Sequence, residues 1–367
     1  MIRSPLSDRV RGWFARRFAS DHSSYSVARG ARDHVIILDG TMSSLKAGEE
    51  TNAGLTYRLL REQGGNVSVY YEAGLQWPDW ASTVDVVTGR GINRQIRRAY
   101  GYLASRYRPG DRIFLLGYSR GAYAVRSLAG IIDRIGLIRR DDATESNIRQ
   151  IYRLYQMDPE GATAQAFARL YCHPETAIEM LGVWDTVKAL GLRLPLLWRL
   201  QTDSHAFHNH ELGRSVRHGY HALALDERRR AYAPVLWQCP QDWSVTVEQV
   251  WFPGTHGDVG GQLGRSGAAR GLSNIPLVWM LDKLEARDLS LPAGWRGRFP
   301  CDAEAPSIGT WYGTGKFFLL RGPREVGRDP SEQLHESVSR GSAREIDSVA
   351  WKKASLLFTV SLQRFKL

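Results

Sequence analysis

One serine in this chain has a glycine two positions away on either side, a spacing that suggests a nucleophile. The pattern reads Gly117-Tyr118-Ser119-Arg120-Gly121 and occurs once in the 367 residues. In a strained turn between a strand and a helix, small flanking residues allow the backbone to come close and the hydroxyl to stand above the sheet. The backbone amide of Arg120 is then predicted to donate to the oxyanion of a reacting acyl group. The alternative is an ordinary glycine-rich turn.

A serine nucleophile needs a base, and the base needs a group that orients it. In hydrolases with this turn, the chain order is Ser, then an acid, then His. Asp185 directly follows a predicted strand that ends at Trp184, and His256 lies in a glycine-rich loop after a predicted strand that ends at Phe252. We therefore predict Asp185 as the acid and His256 as the base. A simple capping role for Asp185 is the alternative.

Other polar residues compete for these roles. Asp258, two positions after His256, would either orient the base or hold a tight turn through the backbone. His335 is the alternative base. Five more histidines form a dense group between residues 205 and 221. Metal binding is one interpretation, but carboxylate and cysteine ligands at a diagnostic spacing are absent, so a polar loop or pocket rim is favoured. The five histidines are His205, His208, His210, His218 and His221. No metal or cofactor is expected.

A second oxyanion amide is expected after the first predicted strand. Asp39-Gly40-Thr41 ends that strand, and its backbone near Gly40 is predicted to supply the amide, with a simple β-turn as the alternative. The side chain of Arg120 would either bind an anionic group of the substrate, such as a phosphate, or form a salt bridge that braces the turn.

Strand and helix signals alternate along the chain from residue 34. Short apolar runs predict strands at 34–38, 67–71, 112–116, 178–184 and 245–251, and apolar faces predict helices near 55–63, 92–107, 122–135 and 274–284. This alternation predicts the α/β class, with a mostly parallel central sheet and helices on both faces. The proposed nucleophile, acid and base would all stand at the carboxyl ends of strands, where such sheets place their sites.

The predicted domain organisation is a short N-terminal segment and one large domain. Residues 1–30 carry a basic amphipathic pattern, which can lie on an anionic membrane or act as a docking arm. Residues 31–367 are predicted to form a single α/β-hydrolase domain. It would contain a helical insertion at about 139–177 and an irregular insertion at about 186–245.

Composition limits the remaining classes. Hydrophobic residues make up 43% of the chain, enough for a large core, and the net charge is +11. The basic residues form no long run, so no nucleic acid is expected as a partner. The predicted nucleophile makes an ester the expected substrate, and the cationic surface favours a lipid ester and an anionic membrane surface as candidate partners. Three separated cysteines and the lack of a signal-peptide pattern predict a cytoplasmic protein, with membrane-surface association and signal-independent export left open.

Several blocks resemble the type VI lipase effector family, class one, a large group of α/β hydrolases. The blocks are residues 107–123, 126–130, 38–41, 182–187, 221–228, 252–261 and 335–338. The resemblance implies an α/β-hydrolase fold, phospholipase activity, and a triad formed by Ser119, Asp185 and His256. Met42-Ser43-Ser44 departs from the family pattern after the first Asp-Gly-Thr.

Overall fold

The computed structural model describes residues 29–74, 90–187, 212–239, 246–311 and 318–338. The chain divides into two units, Met1–Ala31 and Arg32–Leu367. Most of the predicted basic segment at residues 1–30 therefore lies outside the described residues, and its role stays a prediction.

A seven-stranded sheet forms the centre of the larger unit. Its strands are β1 (Asp33–Leu38), β2 (Val67–Glu72), β3 (Arg112–Tyr118), β4 (Met180–Trp184), β5 (His218–Ala224), β6 (Thr246–Phe252) and β7 (Glu332–Leu334). The spatial order is β2-β1-β3-β4-β5-β6-β7, and all neighbouring strands are parallel. This arrangement confirms the predicted α/β class with a parallel central sheet.

The two faces of the sheet are covered by different helices. The described helices are α1 (Asn52–Gln63), α2 (Arg90–Ala104), α3 (Arg120–Arg134), α4 (Glu145–Met157), α5 (Ala162–Tyr171), α6 (His256–Gly260) and α7 (Arg270–Glu285). In β1, Ile36 and Leu38 pack with buried residues of α2 to α5, whereas Val35 and Ile37 pack with those of α1 and α7. Because successive side chains of a strand point to opposite faces, continuous apolar runs bury both sides. Helices therefore lie on both faces, as predicted.

Local sequence signals set several helix ends. The side chain of Thr51 accepts a hydrogen bond from the Gly54 N–H and caps α1, which ends at Gly64 with a positive φ of 61°. Such a backbone conformation favours glycine. The predicted helical region at 139–177 contains α4 and α5, whose buried residues join one of the two cores. None of the described helices is both long and apolar enough to cross a membrane.

The predicted irregular insertion at about 186–245 needs correction. Residues His218–Ala224 form β5, a central strand hydrogen-bonded between β4 and β6. The strand was missed because His221 interrupts its apolar pattern. Burial lowers the pKa of His221 to about 3, so the ring is neutral, and its Nε2 accepts the Thr186 N–H at 3.1 Å. A neutral, hydrogen-bonded histidine can occupy a core position that sequence periodicity assigns to a polar loop.

Candidate active site

The candidate site lies where the carboxyl ends of the parallel strands meet. Ser119 follows β3, Asp185 follows β4, and His256 begins α6 after β6. The strand order reverses between β1 and β3, so the chain leaves these two strands in opposite directions along the sheet. Such a reversal opens a crevice at the carboxyl edge, where α/β sheets bind their ligands.

Ser119 occupies the strained turn that its flanking glycines predict. Its backbone has φ 57° and ψ −119°, and its N–H donates to the Trp184 carbonyl at 3.0 Å. A Cβ atom at Gly121 would lie 2.0 Å from the Leu38 carbonyl oxygen, and one at Gly117 would lie 2.7 Å from the Ala122 Cα. Glycine is therefore required on both sides, because α3 packs directly against the end of β1 and against its own entry turn.

A continuous hydrogen-bonded chain joins the three predicted catalytic residues. The Ser119 Oγ is 2.9 Å from the His256 Nε2, and the His256 Nδ1 is 2.6 Å from the Asp185 Oδ2. Ser119, His256 and Asp185 are 7%, 4% and 0% exposed. The structure thus brings together residues separated by up to 137 positions, with the imidazole between the hydroxyl and the carboxylate.

Asp185 is held from several sides. Its φ of 41° lies in the left-handed region, and its Oδ1 accepts the Ala224 N–H at 3.0 Å. Arg324 donates to both carboxylate oxygens, at 2.6 and 2.9 Å. Burial by itself would raise the pKa of Asp185, but Arg324 and His256 outweigh burial and hold the pKa well below its usual range. Asp185 is therefore an ionised carboxylate at neutral pH.

His256 is fixed by its helix and by two aromatic rings. Its backbone N–H donates to Glu227 at 3.3 Å, and its ring centroid lies 4.9 Å from that of Tyr118 and 4.8 Å from that of Tyr232. Glu227 is itself paired with Arg229 at 2.6 Å. These contacts restrict the rotation of the imidazole between its two hydrogen-bond partners.

Asp258 contacts the loop around His256 and not the imidazole. Its Oδ2 accepts the Thr255 N–H at 2.7 Å and the Ser307 hydroxyl at 2.5 Å, and its Oδ1 accepts the Ile308 N–H at 3.0 Å. The geometry therefore favours the turn-holding alternative for Asp258 over the role of orienting acid.

The alternative base, His335, is not brought to Ser119. It follows β7, stacks on Phe252 with ring centroids 4.6 Å apart, and its Nδ1 is 2.8 Å from the Ser337 hydroxyl. Its backbone N–H donates to the Trp251 carbonyl at 2.9 Å. His335 joins β7 to β6 in this way.

The predicted oxyanion amide at Gly40 needs correction. Gly40 does lie against the nucleophile, since a Cβ atom there would be 3.4 Å from the Ser119 Cβ. However, its N–H donates to the Asp39 Oδ1 at 2.7 Å. Among the described residues, the N–H groups of Thr41 and Arg120 have no hydrogen-bond partner. These two amides, and not that of Gly40, are free to donate to a ligand oxygen.

Asp39 holds the turn that carries Thr41. Its Oδ2 accepts the hydroxyls of Thr51 and Tyr71, at 2.6 and 2.7 Å. Burial raises the pKa of Asp39 to about 6 against the opposing effect of these hydrogen bonds. The Thr41 carbonyl in turn accepts the Gln262 side chain at 2.8 Å. The turn is therefore anchored from β2, α1 and the segment after α6.

The Arg120 side chain forms no hydrogen bond or ion pair with any described residue. Burial lowers the pKa of Arg120, and the smaller effect of the nearby Tyr232 is to raise it. The predicted alternative of a bracing salt bridge is thus not observed in these parts of the chain. A half-buried guanidinium next to the nucleophile is left available to an anionic ligand.

The predicted histidine-rich rim is divided by the fold. His221 lies in the core of β5, whereas His218 at the start of that strand contacts Arg287 at 3.0 Å. His205, His208 and His210 lie outside the described residues. The described residues hold no group of three His, Cys, Asp or Glu side chains suited to a metal ion.

Sequence reasoning missed Arg324, Glu227 and Tyr232. Arg324 lies 139 positions from Asp185, in a segment without a recognisable motif, so no local pattern could assign it. Glu227 does fall within the block at 221–228 that resembles the family, but the resemblance implies no role for it.

This chain is similar to a curated protein and to solved structures. A protein of Saccharomyces cerevisiae, described as uncharacterized, is 27% identical over 237 residues, which cover 57% of this chain and 32% of the yeast protein. A solved structure of an uncharacterized protein from Pseudomonas aeruginosa is 18% identical, covers 82% of this chain and 52% of its own, and has a TM-score of 0.41. The Tle1 effector bound to the VgrG spike of the type 6 secretion system is also 18% identical, with 64% and 52% covered and a TM-score of 0.34.

The chain thus spans about a third of the yeast protein and about half of each solved chain. Residues 32–283, more than half of the chain, match the family described as T6SS, phospholipase effector Tle1-like, catalytic domain. That range contains Ser119, Asp185 and His256. The chain therefore belongs to the Tle1-like family of phospholipase effector catalytic domains.

Proposed function

We propose that this protein is a serine hydrolase that cleaves an acyl ester of a phospholipid through an acyl-enzyme. The observation that carries the proposal is the buried hydrogen-bonded chain Ser119–His256–Asp185 at the carboxyl edge of the sheet. The order and the distances are those that nucleophilic acyl transfer needs. Membership in a family of phospholipase effector domains supports the lipid substrate.

In the proposed reaction, the Ser119 Oγ attacks the ester carbonyl carbon while its proton passes to the His256 Nε2. Asp185 holds the Nδ1–H and stabilises the imidazolium that forms. The tetrahedral oxyanion accepts hydrogen bonds from the N–H groups of Arg120 and Thr41. The C–O bond to the alcohol then breaks, and His256 returns the proton to that oxygen. A water molecule, deprotonated by His256, then attacks the acyl-Ser119 ester. The bond between the acyl carbon and the Ser119 Oγ breaks, His256 returns the proton to that Oγ, and the carboxylic acid is released.

Apolar surface next to the site supports a lipid substrate. Tyr232, which packs on His256, also packs on Phe318 with ring centroids 5.4 Å apart. The residues that follow, Leu319 and Leu320, are 76% and 64% exposed. Exposed leucines at the border of a polar site suit contact with acyl chains. The guanidinium of Arg120, which has no hydrogen-bond or ion-pair partner among the described residues, would suit the phosphate that lies a few bonds from a phospholipid ester.

The test compares hydrolysis of a phospholipid in mixed micelles with hydrolysis of a short soluble ester. We expect wild-type protein to be faster on the micelles, and Ser119→Ala to lose both activities. The matched control is Ser127→Ala in α3. Ser127 is buried, and its hydroxyl donates to the Tyr123 carbonyl. Soluble-ester activity without any gain on micelles would favour a non-lipid esterase or amidase instead. Full activity of folded Ser119→Ala would contradict the serine mechanism.

The base is tested in the same assay. His256→Ala should lose as much activity as Ser119→Ala, because the proton of the hydroxyl then has no acceptor. His335→Ala should keep activity within about tenfold of wild type, since its contacts are to Phe252 and Ser337. The reverse result would move the role of base to His335.

A further inference from the structure

We infer that Arg324 is a positioning residue for the proposed reaction, one that orients the Asp185 carboxylate and balances its charge so as to set the pH range in which His256 works. The inference rests on the proposed function. It concerns a residue outside the range 32–283 that matches the family.

The guanidinium of Arg324 is held in one orientation. Its Nη1 donates to the Asp185 Oδ1 at 2.6 Å and to the Ala224 carbonyl at 2.8 Å. Its Nη2 donates to the Asp185 Oδ2 at 2.9 Å and to the Tyr232 carbonyl. The side chain is only 5% exposed. Two backbone carbonyls therefore fix the fork, and the fork fixes both oxygens of the carboxylate.

This arrangement leaves one oxygen of Asp185 shared between two cations during the reaction. Oδ2 accepts from Arg324 and from the His256 Nδ1, which lies 2.6 Å away. An isolated carboxylate would attract a proton to the imidazole strongly, whereas a carboxylate already paired with a guanidinium attracts it less. Removing Arg324 should therefore raise the pH below which the reaction is lost.

Other charges around the pair largely cancel. The charged and titratable neighbours of the imidazole and the carboxylate are Arg324, Glu227, Arg229, His221, Tyr118 and Tyr232. Glu227 is paired with Arg229, burial lowers the pKa of His221 to about 3, and burial raises the pKa of Tyr118 well above its usual value. Within the described parts of the chain, Arg324 is thus the permanent cation that contacts Asp185.

The experiment measures the second-order rate of labelling by a fluorophosphonate, together with kcat/KM for a soluble ester, between pH 4 and 10 in the full chain. The variants are Arg324→Met and Arg324→Lys. The matched control is Arg328→Met, which removes the same charge from the same segment at a side chain that is 62% exposed. Melting temperatures are recorded for every variant.

We expect Arg324→Met to move the acid-side midpoint of both profiles upward by about one pH unit, since a unit charge is lost next to the pair. Arg324→Lys keeps the charge but cannot span both oxygens, so it should keep the midpoint and lower the plateau by about tenfold. Arg328→Met should match wild type in both.

A merely structural Arg324 would lower the melting temperature without moving the midpoint, and that result in folded Arg324→Met would overturn the inference. If Arg324→Met does not fold, Arg324→Lys decides: a wild-type plateau, or a shifted midpoint, would contradict the role. Failure of the wild-type protein to be labelled at Ser119 would instead reject the proposed function.

Discussion

At the scale of single residues, the site depends on a buried acid that serves two basic partners. Asp185 is fully buried and bonds His256 on one side and Arg324 on the other. Removing its charge therefore has two separate consequences. The imidazole loses its orienting acceptor, and the guanidinium is left buried without a counter-ion.

We predict that Asp185→Asn lowers kcat by about 10⁴ and destabilises the protein by about 3–5 kcal/mol. The double variant Asp185→Asn with Arg324→Met should recover most of the stability and none of the activity. Urea unfolding and kcat check both statements. Wild-type activity in folded Asp185→Asn would show that another group orients the base.

For Asp258 we expect an effect on stability and little effect on activity. Its carboxylate accepts four hydrogen bonds, two from Thr255 and one each from Ser307 and Ile308, and so ties the loop of His256 to the segment at 307–308. Asp258→Asn should cost about 1–3 kcal/mol of unfolding free energy and change kcat by less than about tenfold. A thermally normal variant that loses as much activity as Asp185→Asn would instead assign the role of acid to Asp258.

The positions of Ser119, Asp185 and His256 could be predicted because each follows an apolar strand with a local pattern of its own. Arg324 could not, because a buried ion pair between residues 139 positions apart leaves no local pattern. The Gly40 amide was wrongly assigned for a similar reason. Only the structure shows that the neighbouring Asp39 carboxylate accepts that N–H at 2.7 Å.

At the scale of elements, the entry turn of α3 makes one of the closest backbone approaches in the described parts of the chain. Gly121 meets the backbone at the end of β1, where the oxygen of Leu38 cannot move aside without disturbing the first strand. The same contact places the start of α3, and so the amide of Arg120, beside the turn at Gly40. Packing of the helix on the strand thereby sets the geometry of the proposed oxyanion site.

Gly121→Ala should accordingly destabilise the protein by about 3 kcal/mol or more, because the new methyl would lie 2.0 Å from a backbone oxygen. Gly297→Ala is the control, since a Cβ atom there meets nothing within 4 Å. Melting temperature and fluorophosphonate labelling are measured for both. Equal melting temperatures would mean that α3 can move away from β1 at little cost.

Elements with uniform apolar runs could be predicted from sequence, and those with polar interruptions could not. β1 and β3 each bury residues on both faces, and their runs are clear. β5 contains His221, whose neutral ring bonds the Thr186 amide, and β7 has only three residues. Neither has the periodicity that identifies a strand.

At the scale of the whole molecule, the net charge is +11 and two exposed leucines lie next to the site. These are the features that would contact an anionic lipid surface under the proposed function. The segment with Leu319 and Leu320 is held by backbone bonds, with the Leu320 carbonyl accepting the Arg230 N–H at 2.9 Å. Its leucine side chains are therefore presented on a fixed backbone.

Replacing both leucines by serine should lower hydrolysis of anionic phospholipid vesicles by about tenfold and leave soluble-ester hydrolysis unchanged, since only the lipid substrate loses apolar contact. The control replaces two other exposed apolar residues by serine, Met157 in α4 and Leu170 in α5. An equal loss on both substrates would indicate damage to the site itself. No loss on vesicles would remove this surface from lipid recognition.

The central claim is that Ser119 is a nucleophile activated by His256. It is tested most directly by incubating the full chain with a fluorophosphonate and locating the adduct by mass spectrometry of the digested protein. We predict one adduct on the Ser119 peptide, with a labelling rate that falls by at least about 10³ in His256→Ala. Absence of that adduct in folded wild-type protein, or its undiminished formation in His256→Ala, would contradict the account.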